Sequence, residues 1–170
     1  MKHVPMDKDH ADAALYRFME VAEGLDLDWC LFAGSALGMY RDQKWIEHDD
    51  DIDVAVRADS EKLEKLWVAL YDAGFNLGRW CENVDGTKNR HVYYHPDIPN
   101  IKDGGVLLDV FYTFTPDEEN LTRYYDAVVY KDGLVPLPHP VDVYLQVAYG
   151  EWWDRSNRNS AAGKEGVKVG

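Results

Sequence analysis

Between Glu47 and Asp53 the chain reads Glu-His-Asp-Asp-Asp-Ile-Asp, five carboxylates in seven residues, and it runs directly into Val54 and Val56. A charge run is ordinarily a solvated loop, and Glu47, Asp49 and Asp50 fit that description. Asp51 and Asp53 do not, because Ile52, Val54 and Val56 alternate with them at the period of a strand and tie the segment to a core. Side chains alternate across a strand, so the two acids share one face, about 6.6 Å apart along the backbone. Two such charges about 5 Å apart at an effective dielectric near 20 repel by roughly 3 kcal/mol. Three mutually close carboxylates would cost around 10 kcal/mol, comparable to the whole stability of a domain. An arrangement of this kind asks for a divalent cation, and oxygen-only ligands suit Mg²⁺ or Mn²⁺.

A calcium loop is the competing interpretation, since Asp49, Asp51 and Asp53 give its opening spacing. That loop needs Gly at its sixth position and Glu at its twelfth; here those positions hold Val54 and Ser60. A further carboxylate stands in Leu107-Leu108-Asp109-Val110-Phe111, an otherwise apolar strand. Alone, Asp109 is best explained as the partner of a buried base or the cap of a turn. Beside the first pair, the balance moves toward a third metal ligand. Gly34-Ser35, at a strand-to-helix turn, adds free N–H groups and a hydroxyl of the kind that seat phosphate.

The remaining pattern predicts mixed elements. A helix is expected from about Asp9 to Leu25, a buried strand over Trp29 to Ala33, and a short helix capped by Ser35. Arg41 to Asp50 reads as a polar loop, and Asp59-Ser60 caps a helix carrying Leu63, Leu66, Trp67 and Leu70. Strands over Phe75–Cys81 and Arg90–His95 are joined by a turn at Asn83-Val84-Asp85-Gly86. Another strand spans Gly105–Phe114, and Tyr124–Leu137 reads as a hairpin turning at Lys131-Asp132-Gly133. A last helix runs from about Val141 to Ala148. The fold class implied is α+β, a mixed sheet flanked by helices. Residues 1–154 are expected to form one domain, and 155–170, lacking apolar periodicity, a mobile tail.

Taken together, these residues resemble the nucleotidyltransferase superfamily. The match narrows to the LicD/fukutin family: Gly34-Ser35-Ala36-Leu37-Gly38-Met39-Tyr40-Arg41, continuing through Trp45-Ile46 into Asp49-Asp50-Asp51-Ile52-Asp53, aligns over twenty consecutive positions without a gap. Leu108-Asp109-Val110-Phe111 is similar to that family's later Ile-Asp-Ile-Phe strand, and Tyr149-Gly150-Glu151-Trp152 to its Tyr-Gly-Asp element. The resemblance implies transfer of a phospho-alcohol, such as phosphocholine or ribitol phosphate, from a CDP-linked donor to a sugar hydroxyl. It also implies Asp51 and Asp53 as metal ligands and Asp109 as the third carboxylate, ligating metal or accepting the acceptor's proton. Gly34 and Ser35 would hold donor phosphate and Arg41 would help neutralise it. Ser35 departs from the family's usual Thr, and Asp154-Arg155-Ser156-Asn157 replaces the proline-rich continuation.

Charge sharpens the choice of partner. The tail's Arg155, Arg158, Lys164 and Lys168 against Glu165 amount to +3, so the rest of this −13 chain stands at −16. A body this acidic repels a long polyanion, which argues against nucleic acid. A small, metal-neutralised phosphate is still compatible with it. No apolar run is long enough to span a membrane, the opening residues lack a signal peptide's apolar segment, and a cytoplasmic protein is the expectation. Cys30 and Cys81, outside any CxxC spacing, suggest neither zinc nor a structural disulfide. Lys44, Arg90 and His91 are read as surface charges or local ion-pair partners, and His48 and His139 are given no catalytic role. Trp152 and Trp153 are read as packing residues. Two other functions share the acid pattern: nucleotidyl transfer from an NTP, and a silent relative that only binds nucleotide.

Overall fold

The computed structural model of the chain describes residues 5–82, 88–94, 106–112, 119–120 and 122–154. Helix α1 (Lys8–Gly24) starts at Asp7, whose carboxylate accepts the N–H groups of Asp9 and His10, as an N-cap should. It buries Ala11, Ala14, Leu15, Phe18 and Ala22 along one stripe. Strand β1 (Asp28–Leu31) leads almost at once into α2 (Ala33–Asp42), and β2 (Asp51–Arg57) into α3 (Ser60–Asp72), capped by Asp59. Strands β3 (Asn76–Glu82), β4 (Lys88–Tyr94) and β5 (Leu107–Phe111) follow, then the hairpin β6 (Tyr125–Tyr130) and β7 (Gly133–Pro138), and α4 (Val141–Tyr149).

Five strands form one sheet in the order β1-β2-β5-β4-β3, with β6 and β7 a separate pair. Every pairing in the large sheet is antiparallel except β2 with β5, which run parallel. In β2 all five interior residues, Ile52 to Val56, are buried, because helices cover both faces at the centre of the sheet. The α+β expectation therefore holds, with a mixed five-stranded sheet flanked by helices.

Local boundaries depart from expectation at the first turn of α2. Ser35 does not cap that helix. Phe32 occupies the cap position in extended conformation with no side-chain cap bond, so Gly34 and Ser35 lie inside the first helical turn. The reason is how tightly the chain bends after β1: Ala33 takes a positive φ of 40° and its N–H donates to the Tyr144 hydroxyl at 2.9 Å. The polar segment after Arg41 is also not all loop. Helix α2 continues through Asp42, and Gln43 closes it in the left-handed conformation. The turn proposed at Asn83–Gly86 and the tail 155–170 lie outside the described residues, as do the flanks of the strand expected over 105–114.

Within the 43–50 connection Trp45 is fully buried, and its indole N–H donates to Asp12 at 2.8 Å. The same buried carboxylate accepts the Tyr130 hydroxyl at 2.8 Å and the Lys131 ammonium at the hairpin tip. One α1 side chain thus fastens both the connection that leads to the acid run and the β6–β7 hairpin. Asp12→Ala would leave the buried Trp45 indole and the half-buried Tyr130 hydroxyl without this partner, a loss of about 3 kcal/mol. Chemical denaturation should show the midpoint falling accordingly. A change below about 0.5 kcal/mol, the size of an ordinary surface substitution, would show that the latch carries little stability.

Candidate active site

The site is built on the parallel pair at the centre of the sheet. Register places Asp51 opposite Leu107 and Asp53 opposite Asp109, so Asp51, Asp53 and Asp109 all point to one face. One carboxylate oxygen from each lies within 4.8 Å of the others. Asp53 and Asp109 are 6% and 2% exposed. The three acids expected to converge do so, with Asp53 and Asp109 buried and Asp51 half-buried.

A fourth joins them. Asp49 was read as part of a solvated loop, but it is half-buried, its carboxyl bonds to Asp51, and with Asp50 and Asp51 it forms a second oxygen cluster. Its backbone is held by the Met6 N–H, which donates to its carbonyl at 2.7 Å. Strand alternation carries no information about Asp49, because it precedes β2; only the folded connection brings it in.

Gly34 explains how a helix can sit so close to these acids. A Cβ at that position would stand 2.7 Å from Asp49 Oδ2 and 3.7 Å from Asp53 Oδ2. The first turn of α2 therefore rests against the carboxylates, where the positive end of the helix dipole favours negative charge. Ser35 is buried and its Oγ accepts the Asp53 N–H at 2.9 Å, which ties helix to strand. That bond uses a lone pair, and the hydroxyl proton is a donor that a phosphate oxygen could accept.

The electrostatics follow from burial. Loss of water first, then the charges of Asp51, Asp109 and Asp49, push the Asp53 carboxyl far above the ordinary carboxylate range, with Arg90 opposing. Asp49 is raised to about 8 by burial and then by Asp51 and Asp50. Burial lifts Asp109 to about 7 even though Arg90 pulls it down. The Arg90 guanidinium donates to Asp109 Oδ2 at 2.6 Å and lies 5.2 Å from the Phe111 ring centre, while Asp109 Oδ1 is buried with no hydrogen-bond partner among the described residues. Burial disfavours the charge on Arg90, but Asp109 foremost, with Asp53 adding, keeps it firmly protonated.

Would these residues suit a divalent ion? The donors are all hard carboxylate oxygens, mutually repelling and grouped within 4.8 Å. Oxygen ligands of Mg²⁺ sit at about 2.1 Å, so one coordination sphere spans about 4.2 Å, a small side-chain adjustment away. Asp109 Oδ1 is buried and, among the described residues, has no hydrogen-bond partner, which leaves it able to accept a cation. The set fits Mg²⁺ or Mn²⁺.

Other candidates are placed differently. Arg41 pairs with Asp42 at 2.9 Å and reaches the Trp152 carbonyl at 3.4 Å, while the bases acting on Asp109 are Arg90 and Arg79. Arg90 is thus an ion-pair partner, as expected, but of a site carboxylate. His91 lies on the opposite sheet face, packed 4.4 Å from Trp67. Trp67 is only half-buried, among His91, Tyr93 and Tyr112. His139 pairs with Asp126, which also accepts the Val141 N–H. Lys44 and His48 are exposed, and Trp152 packs on Tyr40 and Trp153. Tyr149, noticed in the sequence only as part of a motif, has its phenol shifted upward by burial and then by Asp53, Asp49 and Asp51, so the end of α4 lies beside the acids. No helix among the described residues is long and apolar enough to cross a membrane.

Comparison with known proteins bears on the family and the fold. The family model LicD/FKTN/FKRP, nucleotidyltransferase domain, matches residues 26–137. Similar solved structures include an antigenic nucleotidyltransferase-like protein from Paracoccidioides brasiliensis, at 14% identity, 94% of this chain, 75% of that one and a TM-score of 0.55. ANT(2″)-Ia in complex with adenylyl-2″-tobramycin is similar at 16% identity, 81% of this chain, 74% of that one and a TM-score of 0.51. The solution structure of the same antibiotic-resistance factor gives 16% identity, 93% and 86% coverage and a TM-score of 0.54. These likenesses bear on fold. No curated protein matches the chain.

The raised carboxyls make stability depend on pH in a defined direction. Asp49 and Asp109 have folded values of about 8 and 7 against an ordinary 3.8. The folded state therefore binds more protons than the unfolded chain between those limits, and stability falls as pH rises through them. In EDTA the melting temperature should drop between about pH 5.5 and pH 8, and MnCl₂ should restore it mainly at the upper end, where metal need not displace protons. A Tm that rises over this window and ignores MnCl₂ would contradict the assignment. Gly34→Ala should fold but respond less to MnCl₂, because its methyl displaces the Asp49 carboxylate.

Proposed function

The chain belongs to the LicD/FKTN/FKRP family of nucleotidyltransferase domains, and from that footing we propose that it transfers a phospho-alcohol from a CDP-linked donor to a sugar hydroxyl. The transferred group would be one such as phosphocholine or ribitol phosphate. The observation that carries the reading is the meeting of Asp51, Asp53 and Asp109 in one oxygen cluster, with the first turn of α2 brought against Asp53 and Asp49 at Gly34.

Asp51, Asp53 and Asp109 would hold Mg²⁺ or Mn²⁺, which when bound neutralises phosphate charge and polarises the phosphorus–oxygen bonds. The chain's own groups supply positioning, which phosphoryl-type transfer needs more than covalent help. Gly34 and Ser35 offer first-turn N–H groups and the Ser35 hydroxyl to the donor's phosphates. Asp109, the third carboxylate of the cluster, accepts the proton of the attacking hydroxyl. The hydroxyl oxygen bonds to the alcohol-bearing phosphorus, the bond to the bridging oxygen breaks, and its electron pair leaves with CMP. Arg90 keeps the Asp109 carboxylate oriented through Oδ2.

Nucleotidyl transfer from an NTP uses the same acids and differs in which phosphorus is attacked. Incubation with CDP-choline, CDP-ribitol, CTP and ATP separates the two: CMP release supports phospho-alcohol transfer, and pyrophosphate supports nucleotidyl transfer. Mg²⁺-dependent nucleotide binding without either product would mark a silent relative. On the productive donor, Asp51→Asn or Asp53→Asn should lower turnover at least about 100-fold, roughly 2.7 kcal/mol of barrier. Near-normal turnover of either variant under saturating Mg²⁺ would refute the role.

A further inference from the structure

The bend between β1 and α2 is fastened to Asp53 at both of its ends. The Phe32 N–H donates to the Asp53 carbonyl at 2.9 Å, and the Asp53 N–H donates to Ser35 Oγ at 2.9 Å. Between these bonds stand Ala33 and Gly34, whose shared peptide can turn over without breaking either one. Ala33 has a φ of 40°, in a region that a residue with a Cβ ordinarily avoids. The group that meets it comes from 111 residues further along: the Tyr144 hydroxyl of α4, which accepts the Ala33 N–H at 2.9 Å.

Packing alone does not call for that hydroxyl. Tyr144 is buried with its ring 5.3 Å from that of Phe32, which continues to Phe111 at 5.2 Å. A phenyl ring would fill the same space, and burying a hydroxyl is unfavourable unless it is bonded. Burial foremost, with Tyr149 and Asp53 adding, holds the Tyr144 phenol well above its ordinary value despite the Ala33 bond. The oxygen is therefore a neutral acceptor, aimed at one backbone N–H.

The N–H groups in the first turn of a helix have no intrahelical partners. In α2, that of Ala33 goes to Tyr144, and that of Ala36 donates to the Phe32 carbonyl at 3.0 Å. Those of Gly34 and Ser35 meet no acceptor among the described residues. The direction of the Gly34 N–H follows from the dihedrals of Ala33. We propose that Tyr144 is a positioning residue for the nucleotide donor, given the transferase reading above, on which the inference rests. Its hydroxyl holds Ala33 in the left-handed region, which keeps the Gly34 and Ser35 N–H groups turned out for a phosphate. Tyr144 acts through the backbone and touches no phosphate itself.

The test measures binding to the full chain by calorimetry in MnCl₂, with CMP and with cytidine, which lacks the phosphate. Tyr144→Phe keeps the ring and loses the hydroxyl. It should bind Mn²⁺ within about twofold of wild type and lower the preference for CMP over cytidine about tenfold, the scale of one hydrogen bond to a charged group. A role in packing alone would weaken both ligands alike. Adding Ala33→Gly, which takes a positive φ without strain, should recover about threefold of that loss. Should Tyr144→Phe fail to fold, Ala33→Val replaces it: with the hydroxyl intact, a β-branched side chain resists the positive φ and should lower the same preference. An unchanged preference in the folded variant overturns the positioning role and leaves the transferase reading standing. A loss that Ala33→Gly leaves untouched also overturns it, because the hydroxyl would then act on the phosphate directly. If wild type binds CMP no better than cytidine, the transferase reading fails and the positioning role falls with it.

Discussion

Mutual repulsion among buried carboxylates is the constraint around which this molecule is arranged. Asp53 and Asp109 face each other across the parallel pair β2–β5 with almost no exposure, and Asp51 and Asp49 stand beside them. Left to itself such a group would cost on the order of the entire stability of the domain. Several features reduce that cost without removing it. The N-terminal turn of α2 presents its positive end, the Ser35 oxygen and Asp53 N–H satisfy each other, and Arg90 places a fixed cation against one oxygen of Asp109. What is left over is still strong enough to lift the remaining carboxyls, and strain retained at a site is commonly the part that has a use.

Much of this was legible in the sequence, and the reasons are specific. Asp51 and Asp53 could be placed because Ile52, Val54 and Val56 impose a period of two, and Asp109 because its neighbours are all apolar. Both patterns are short-range, and a strand transmits them faithfully. The α1 stripe of Leu15 and Phe18, the Asp59 cap and the hairpin turn at Lys131 were readable on the same grounds. Asp49 was not, since it sits in a connection where neither period applies. Its position depends on Trp45 being pinned by Asp12, some thirty residues earlier, and on a bond from Met6. Ser35 was assigned to the wrong side of the helix boundary because the sequence does not announce the left-handed step at Ala33. Arg90 was recognised as an ion-pair partner, but its partner could be named only from the register of β4 on β5.

That register also accounts for why acid and base occur together. Two parallel neighbouring strands cannot be joined by a tight turn; the chain must travel away and return. Between β2 and β5 it makes α3, β3 and β4, and it lays β3 and β4 on the free edge of β5. The segment that makes the Asp53–Asp109 pairing possible therefore delivers, as a topological consequence, the strand that flanks Asp109 on its other side. Any residue of β4 in register with the β5 carboxylate or its neighbour on that face becomes part of the site. At one of those positions stands Val92 and at the other Arg90. Had β5 been an edge strand, Asp109 would face solvent and need no partner. Because it is central, its carboxylate is buried, and a cation from the next strand is the nearest available answer. The charge reversal across the face is thus a product of where the parallel pair lies in the strand order, before any ligand is considered.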